Sequence, residues 1–190
     1  MIKGKSNWNI PNALSSFRIV AAPVLLLLIY IDHQTAFKWL ITCSFFTDMI
    51  DGWIARRLHQ VSKLGSILDS IGDSLTIIVG VVGLAIFNKG LFHQYLSIIF
   101  LVVLLHLIQL GLSLWRYRKP SSFHTWSAKV AAMGIGTFIL TTLHFGFYPW
   151  IFYAAILLLI VDAIEESILV LLIPEWKNDV KGLWWILKKK

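Results

Sequence analysis

An all-α, polytopic membrane protein with six transmembrane helices and both termini in the cytoplasm is the fold class this sequence predicts. Three observations carry it. Hydrophobic residues make up 57% of the 190-residue chain and charged ones only 14%, with a mean hydropathy of +0.74; a soluble domain this short cannot hide that much apolar surface. Six stretches reach the roughly 20 residues that a bilayer core of ~30 Å requires. Lysine and arginine are then distributed very unevenly about those stretches.

In chain order the spans are 12–31, 36–55, 67–87, 91–115, 126–147 and 150–173. Pro23 falls inside the first and predicts a kink, while Pro149 and Pro174 bracket the last. The second span is unusual, because its final third carries two aspartates. With the N-terminus inside, fifteen of the 17 Lys and Arg residues fall on one side, and only Lys38 and Lys89 on the other. That side is the cytoplasm. The tail "LWWILKKK" reads as an interfacial segment with Trp184 and Trp185 at headgroup depth. The polar start "MIKGKSNWNIPN" predicts no cleavable signal peptide, and the single Cys43 rules out a disulfide framework. With no internal repeat or linker, residues 1–190 read as one membrane domain. The formal charge of +7 fits basic loops against anionic lipid headgroups better than it fits nucleic acid.

The polar residues gather in one place, "TDMIDGWIARRLHQVSKLGSILDSIGDS" (47–74). In the predicted topology the second helix descends to the cytoplasm and the third climbs back, so Asp48, Asp51, Asp69 and Asp73 all fall in cytoplasmic helix halves. At 100° per residue, Asp48, Asp51, Gly52 and Ala55 share one face of the second helix, and Gly65, Asp69 and Asp73 one face of the third. Four ionised carboxylates converging on one pocket repel strongly and need divalent cations. An all-oxygen donor set suits hard ions such as Mg²⁺ or Mn²⁺. The competing reading makes the aspartates loop salt-bridge partners of Arg56, Arg57 and Lys63, which leaves their matched helical phase unexplained. Gly52 and Gly65 clear space beside the acids, and Arg56 offers a bidentate fork for a phosphate. Metals, an arginine and cleared space together suggest a pyrophosphate ligand at the cytoplasmic face.

The full pattern is Asp48-x2-Asp51-Gly52-x2-Ala55-Arg56-x8-Gly65-x3-Asp69-x3-Asp73. At every fixed position it resembles the signature of the CDP-alcohol phosphatidyltransferase family. The stretch "IPNALSSFR" (10–18) is similar to that family's N-terminal segment. The resemblance implies transfer of a phosphatidyl group, usually from CDP-diacylglycerol, to a small alcohol acceptor with release of CMP. It also implies two Mg²⁺ or Mn²⁺ ions, a frequent homodimer, and a site on the cytoplasmic face of what would be a bacterial inner membrane. By the same resemblance Asp48, Asp51, Asp69 and Asp73 hold the metals, Asp73 is the general base, and Asn12, Gly52, Arg56 and Gly65 line the nucleotide and pyrophosphate site.

The acceptor is less sharply written. Bacterial phosphatidylglycerophosphate synthases typically carry LDPxADK where this chain has "LDSIGDS" (68–74), and the LDS element looks more like phosphatidylserine synthases. Against serine, "PNALSSFR" with Arg18 resembles the glycerophosphate and cardiolipin branches. Arg116, Arg118 and Lys129 would add positive charge for a phosphate-bearing acceptor, so glycerol 3-phosphate is expected ahead of serine, inositol phosphate or phosphatidylglycerol. His106, Gln109, Ser113 and Arg116 form a polar stripe down the fourth span. Asp162, Glu165 and Glu166 on the sixth span are read as acceptor ligands, as partners of Arg18 or Lys129, or as a dimer seam. The alternative class is a divalent-cation transporter or a non-catalytic membrane protein. A transporter needs polar access from both sides, and the extracellular halves of these spans are nearly uncharged.

Overall fold

The computed structural model describes residues 10–57, 63–119, 123, 125–175, 180 and 182–188, without the side chains of 10, 11, 51–56, 63, 64 and 66. Every regular element among the described residues is helical: α1 (Ile10–Tyr30), α2 (Gln34–Arg57), α3 (Lys63–Phe87), α4 (Lys89–Gln94), α5 (Leu96–Tyr117), α6 (Trp126–Phe145), α7 (Pro149–Leu172) and α8 (Leu183–Leu187). Four of them are long and apolar enough to cross a membrane, over Asn12–Tyr30, Ile67–Phe87, Leu96–Tyr117 and Trp126–Phe145. The chain divides into two compact units, Met1–Gly90 and Leu91–Lys190.

In the first unit α1 packs along both α2 and α3, which touch each other more sparingly. The buried face of α1 explains this. Asn12, Ser15, Arg18, Ala22, Leu25 and Ile29 recur every three or four residues and are all buried, so one stripe faces the neighbouring helices. Its apolar half is buried together with Phe37 and Ile41 of α2 and Val79 and Leu84 of α3. The polar half, Asn12 to Arg18, lies in the first turns of α1. The opposite faces are strongly apolar yet open, with Val20 at 65%, Met49 at 67% and Ile67 at 61% exposure. Hydroxyls within these helices bond back to their own carbonyls, Thr42 to Lys38, Ser44 to Leu40 and Thr76 to Gly72, which keeps them satisfied where water is excluded.

Gly83 is the tightest point of this packing. A Cβ there would lie 2.2 Å from Phe37 Cζ, and the Phe37 ring is fully buried, set edge-on against Phe87 at 5.3 Å. A Gly83→Ala variant is therefore expected to lose roughly 1–3 kcal/mol through overpacking. The purified protein in detergent would melt at a lower temperature, and adding Phe37→Leu should restore part of the loss. An unchanged melting temperature for Gly83→Ala would contradict this packing.

In the second unit α7 is central, packing on α5, α6 and α8. Pro149 opens it, where a missing N–H is harmless, and the helix ends just before Pro174. Phe123, Leu169, Val170 and Ile173 form one core cluster, against which Leu112, Tyr117, Val180, Leu183 and Ile186 pack. Gly146 ends α6 with φ of 96°, a conformation glycine adopts freely.

One span differs from its expectation. Residues 91–115 do not form one continuous helix: α4 stops at Gln94 and α5 begins after Tyr95. The Tyr95 ring stacks into an aromatic group with Phe152 at 4.6 Å, Phe147 at 5.3 Å and Tyr153 at 6.1 Å. Those contacts fix the residue at the break. The other helices start or end within four residues of the expected spans.

Candidate active site

Asp69 and Asp73 lie one turn apart on α3, and Asp48 reaches them from α2. The three offer carboxylate oxygens that all lie within 4.8 Å of one another. Helical phase thus does what the spacing predicts for these three. Of Asp51, Gly52 and Arg56 only the helical backbone is described, so their side chains lie outside the described residues. Gly65 sits half-buried in the first turn of α3.

Among the described residues, the cation at the cluster comes from α1. Arg18 Nη1 donates to Asp48 Oδ1 and to Asp73 Oδ1, and Nη2 donates to Asp69 Oδ1 at 2.6 Å. The Arg18 side chain is 0% exposed, whereas those of Asp48, Asp69 and Asp73 are 41%, 43% and 42% exposed. The guanidinium therefore lies beneath the carboxylates and leaves their other side open. Gly72 makes room for it, since a Cβ at 72 would stand 3.3 Å from Arg18 Cβ and 3.4 Å from its Cζ. Asn12 and Ser15 are buried on the same face of α1, about two turns and one turn before Arg18 respectively.

Sequence reasoning missed this role for Arg18. It treated the residue as a mark of acceptor preference, or as a partner for the acids of the sixth span. The available signal was its phase: Arg18 shares the stripe of Ser15, Ala22, Leu25 and Ile29, so it had to face protein.

Among the described residues, one guanidinium faces three carboxylates at this cluster. The donor set is hard oxygen, convergent and open on one side. That fits a divalent metal ion, which such ligands favour, and the cluster can hold one.

The acids of α7 have separate partners within the second unit. Ser127 Oγ donates to Asp162 Oδ1 at 3.0 Å, Leu183 N to Glu165 Oε1 at 2.7 Å, and Gln109 Nε2 to Glu166 Oε2 at 2.6 Å. They tie α6, α8 and α5 to the central helix. The polar stripe of α5 is likewise engaged: Ser113 Oγ donates to the Lys119 carbonyl, Arg116 Nε to the Ile173 carbonyl, and the His106 ring bonds the Val102 carbonyl. Arg116, Arg118 and Lys129 are exposed, and the Lys129 ammonium stands 5.5 Å from the Trp126 ring centre.

Residues 8–161 match the family model for CDP-alcohol phosphatidyltransferase. Similar curated proteins include the CDP-diacylglycerol–inositol 3-phosphatidyltransferase of Saccharomyces cerevisiae, 41% identical over 35% of this chain and 30% of the yeast protein. The CDP-diacylglycerol–glycerol-3-phosphate 3-phosphatidyltransferase of Cereibacter sphaeroides is 35% identical over 40% of this chain and 36% of its own length. The protein of that same description from Aquifex aeolicus is 23% identical over 95% of this chain and 99% of its own. In the first two, the matched stretch spans about a third of the relative's length. No solved structure matches the chain.

Proposed function

The chain belongs to the CDP-alcohol phosphatidyltransferase family, and from that premise we propose that it transfers the phosphatidyl group of CDP-diacylglycerol to glycerol 3-phosphate, releasing CMP. The observation that carries this reading is the convergence of Asp48, Asp69 and Asp73 at the positions of the family's signature.

Asp48, Asp51 and Asp69, with Asp73 beside them, would hold two Mg²⁺ or Mn²⁺ ions, whose chemistry is to neutralise the pyrophosphate and the charge developing on the CMP leaving group. The chain's own groups do the rest. Gly52, Gly65, Asn12 and Arg56 bind the nucleotide and pyrophosphate. Asp73 accepts the proton of the acceptor hydroxyl as that oxygen attacks the lipid-bearing phosphorus. The new phosphorus–oxygen bond replaces the one to CMP, which leaves with the bonding electron pair.

A lipid donor and a cytosolic acceptor require a site at a membrane boundary. We place it at the cytoplasmic face of a bacterial inner membrane, with six spans, both termini inside, and a homodimer as the family resemblance implies. Supporting the count, α2 and α7 each have 24 residues, about 36 Å at 1.5 Å per residue. The family match runs through both compact units, which supports treating 1–190 as one functional domain.

Glycerol 3-phosphate is preferred because relatives from Cereibacter sphaeroides, Rickettsia typhi and Aquifex aeolicus carry that acceptor in their descriptions. The yeast relative names inositol instead, so inositol is the competing acceptor. Purified protein incubated with CDP-diacylglycerol, Mn²⁺ and either glycerol 3-phosphate, serine, inositol, inositol phosphate or phosphatidylglycerol is expected to form phosphatidylglycerophosphate fastest. Preferential use of any other acceptor would contradict the acceptor assignment and leave the family intact. Arg116, Arg118 and Lys129 are the proposed source of charge for the acceptor phosphate. Arg116→Ala and Lys129→Ala should raise KM for glycerol 3-phosphate several-fold and leave that for CDP-diacylglycerol nearly unchanged; no change in either constant would remove them from that role.

A further inference from the structure

We propose that Arg18 is a positioning residue for the metal ligands, holding Asp48, Asp69 and Asp73 from beneath in the convergent arrangement that a divalent cation needs. The inference rests on the metal reading above and deepens it. Three features of the site point the same way.

The first is connectivity. A single guanidinium, from a helix that supplies none of the acids, engages the Oδ1 atom of all three carboxylates. One group thereby fixes the relative placement of three carboxylates drawn from two helices. The second feature is the asymmetry of burial: the arginine side chain is 0% exposed and each carboxylate more than 40%. The carboxylates are therefore reachable by an ion from a side on which Arg18 is not exposed. The third is the absence of a side chain at Gly72, where a Cβ would press on Arg18 Cβ and Cζ. A side chain at 72 would require Arg18 to give way slightly, so glycine suits the close approach of the third helix.

Physically, carboxylates this close repel when no ion is bound, and they splay apart or take up protons. A fixed positive charge beneath them offsets that repulsion. The planar fork sets their directions in a way that a point charge on a flexible stem does not. Partners that orient metal ligands are characteristically needed for full affinity. An opposite role is also physically defined: Arg18 as a competitor, filling the site until a metal displaces it. The two roles differ in sign, because removing a competitor tightens metal binding and removing a positioning residue weakens it.

The test is Mn²⁺ affinity of the full-length protein in detergent, read from the electron paramagnetic resonance signal of free Mn²⁺, with melting temperatures measured alongside. The set is wild type, Arg18→Gln, Arg18→Lys and Asp69→Asn. We expect Arg18→Gln to bind Mn²⁺ about 10–100-fold more weakly than wild type, with Arg18→Lys between the two. An arginine that only supported packing would lower the melting temperature without moving Mn²⁺ affinity, and that result overturns the inference. So does equal or tighter Mn²⁺ binding by Arg18→Gln. If Arg18→Gln fails to fold, Arg18→Lys decides: weakened binding supports the positioning role, and wild-type affinity overturns it. If wild type and Asp69→Asn bind Mn²⁺ equally or not at all, the metal reading itself fails and the inference falls with it. Normal Mn²⁺ binding in wild type and Arg18→Gln, but loss in Asp69→Asn, leaves the metal reading standing and removes only the role of Arg18.

Discussion

Asp69→Asn is expected to lower CMP release from CDP-diacylglycerol by about a hundredfold or more, the scale on which a lost ligand or its support acts, and Asp48→Asn should do the same. Asparagine matches aspartate in shape, so packing is preserved; what disappears is one ionised oxygen from a set lying within 4.8 Å. Arg18 keeps its other two partners in each variant, so the fold should survive. Relief of like-charge repulsion offsets part of the lost ion pair. Melting temperatures in EDTA should therefore stay close to wild type while turnover collapses. Wild-type turnover in both variants would show that these carboxylates do not hold a required ion.

Asp73→Asn is expected to produce a different defect. A general base contributes about 10²–10⁴-fold to rate, and an amide cannot accept the acceptor's proton. The loss should fall on kcat, with KM for CDP-diacylglycerol changed little. Mn²⁺ affinity should drop less than in Asp69→Asn, because Asp73 is assigned a base's work besides its contact to the ion. Comparing the two variants separates the roles. A large rise in the KM for CDP-diacylglycerol with unchanged kcat would make Asp73 a donor-binding residue instead. Normal turnover would remove it from the mechanism.

Much of this arrangement was legible in the sequence, for reasons that can be located. Asp69 and Asp73 are four residues apart, so a helix must place them on one face, and four of the six expected spans fall on helices long and apolar enough to cross a membrane. Local periodicity carries that kind of information. It does not carry the identity of a partner from a distant helix. Arg18 lies 30 residues from Asp48 and 55 from Asp73, and only the packing of α1 between α2 and α3 brings them together. The break at Tyr95 escaped for a related reason. The run 91–115 is mostly apolar, and what meets its break is an aromatic group assembled from residues more than 50 positions away. The acids of α7 read from the sequence as acceptor ligands, partners of Arg18 or Lys129, or a dimer seam, but their donors, Ser127, Leu183 and Gln109, are set by tertiary contacts. Asp51, Gly52 and Arg56 rest on the signature alone, with only their helical backbone described.

The central claim is that the acids of α2 and α3 form a divalent-ion site for phosphatidyl transfer. It is tested most directly by CMP release from purified protein supplied with CDP-diacylglycerol and glycerol 3-phosphate, first in EDTA and then after Mn²⁺ is restored in excess. The account predicts no CMP above background in EDTA, recovery of turnover on adding Mn²⁺, and no recovery for Asp69→Asn under the same conditions. Sustained CMP release in EDTA, or full recovery by Asp69→Asn, would contradict it.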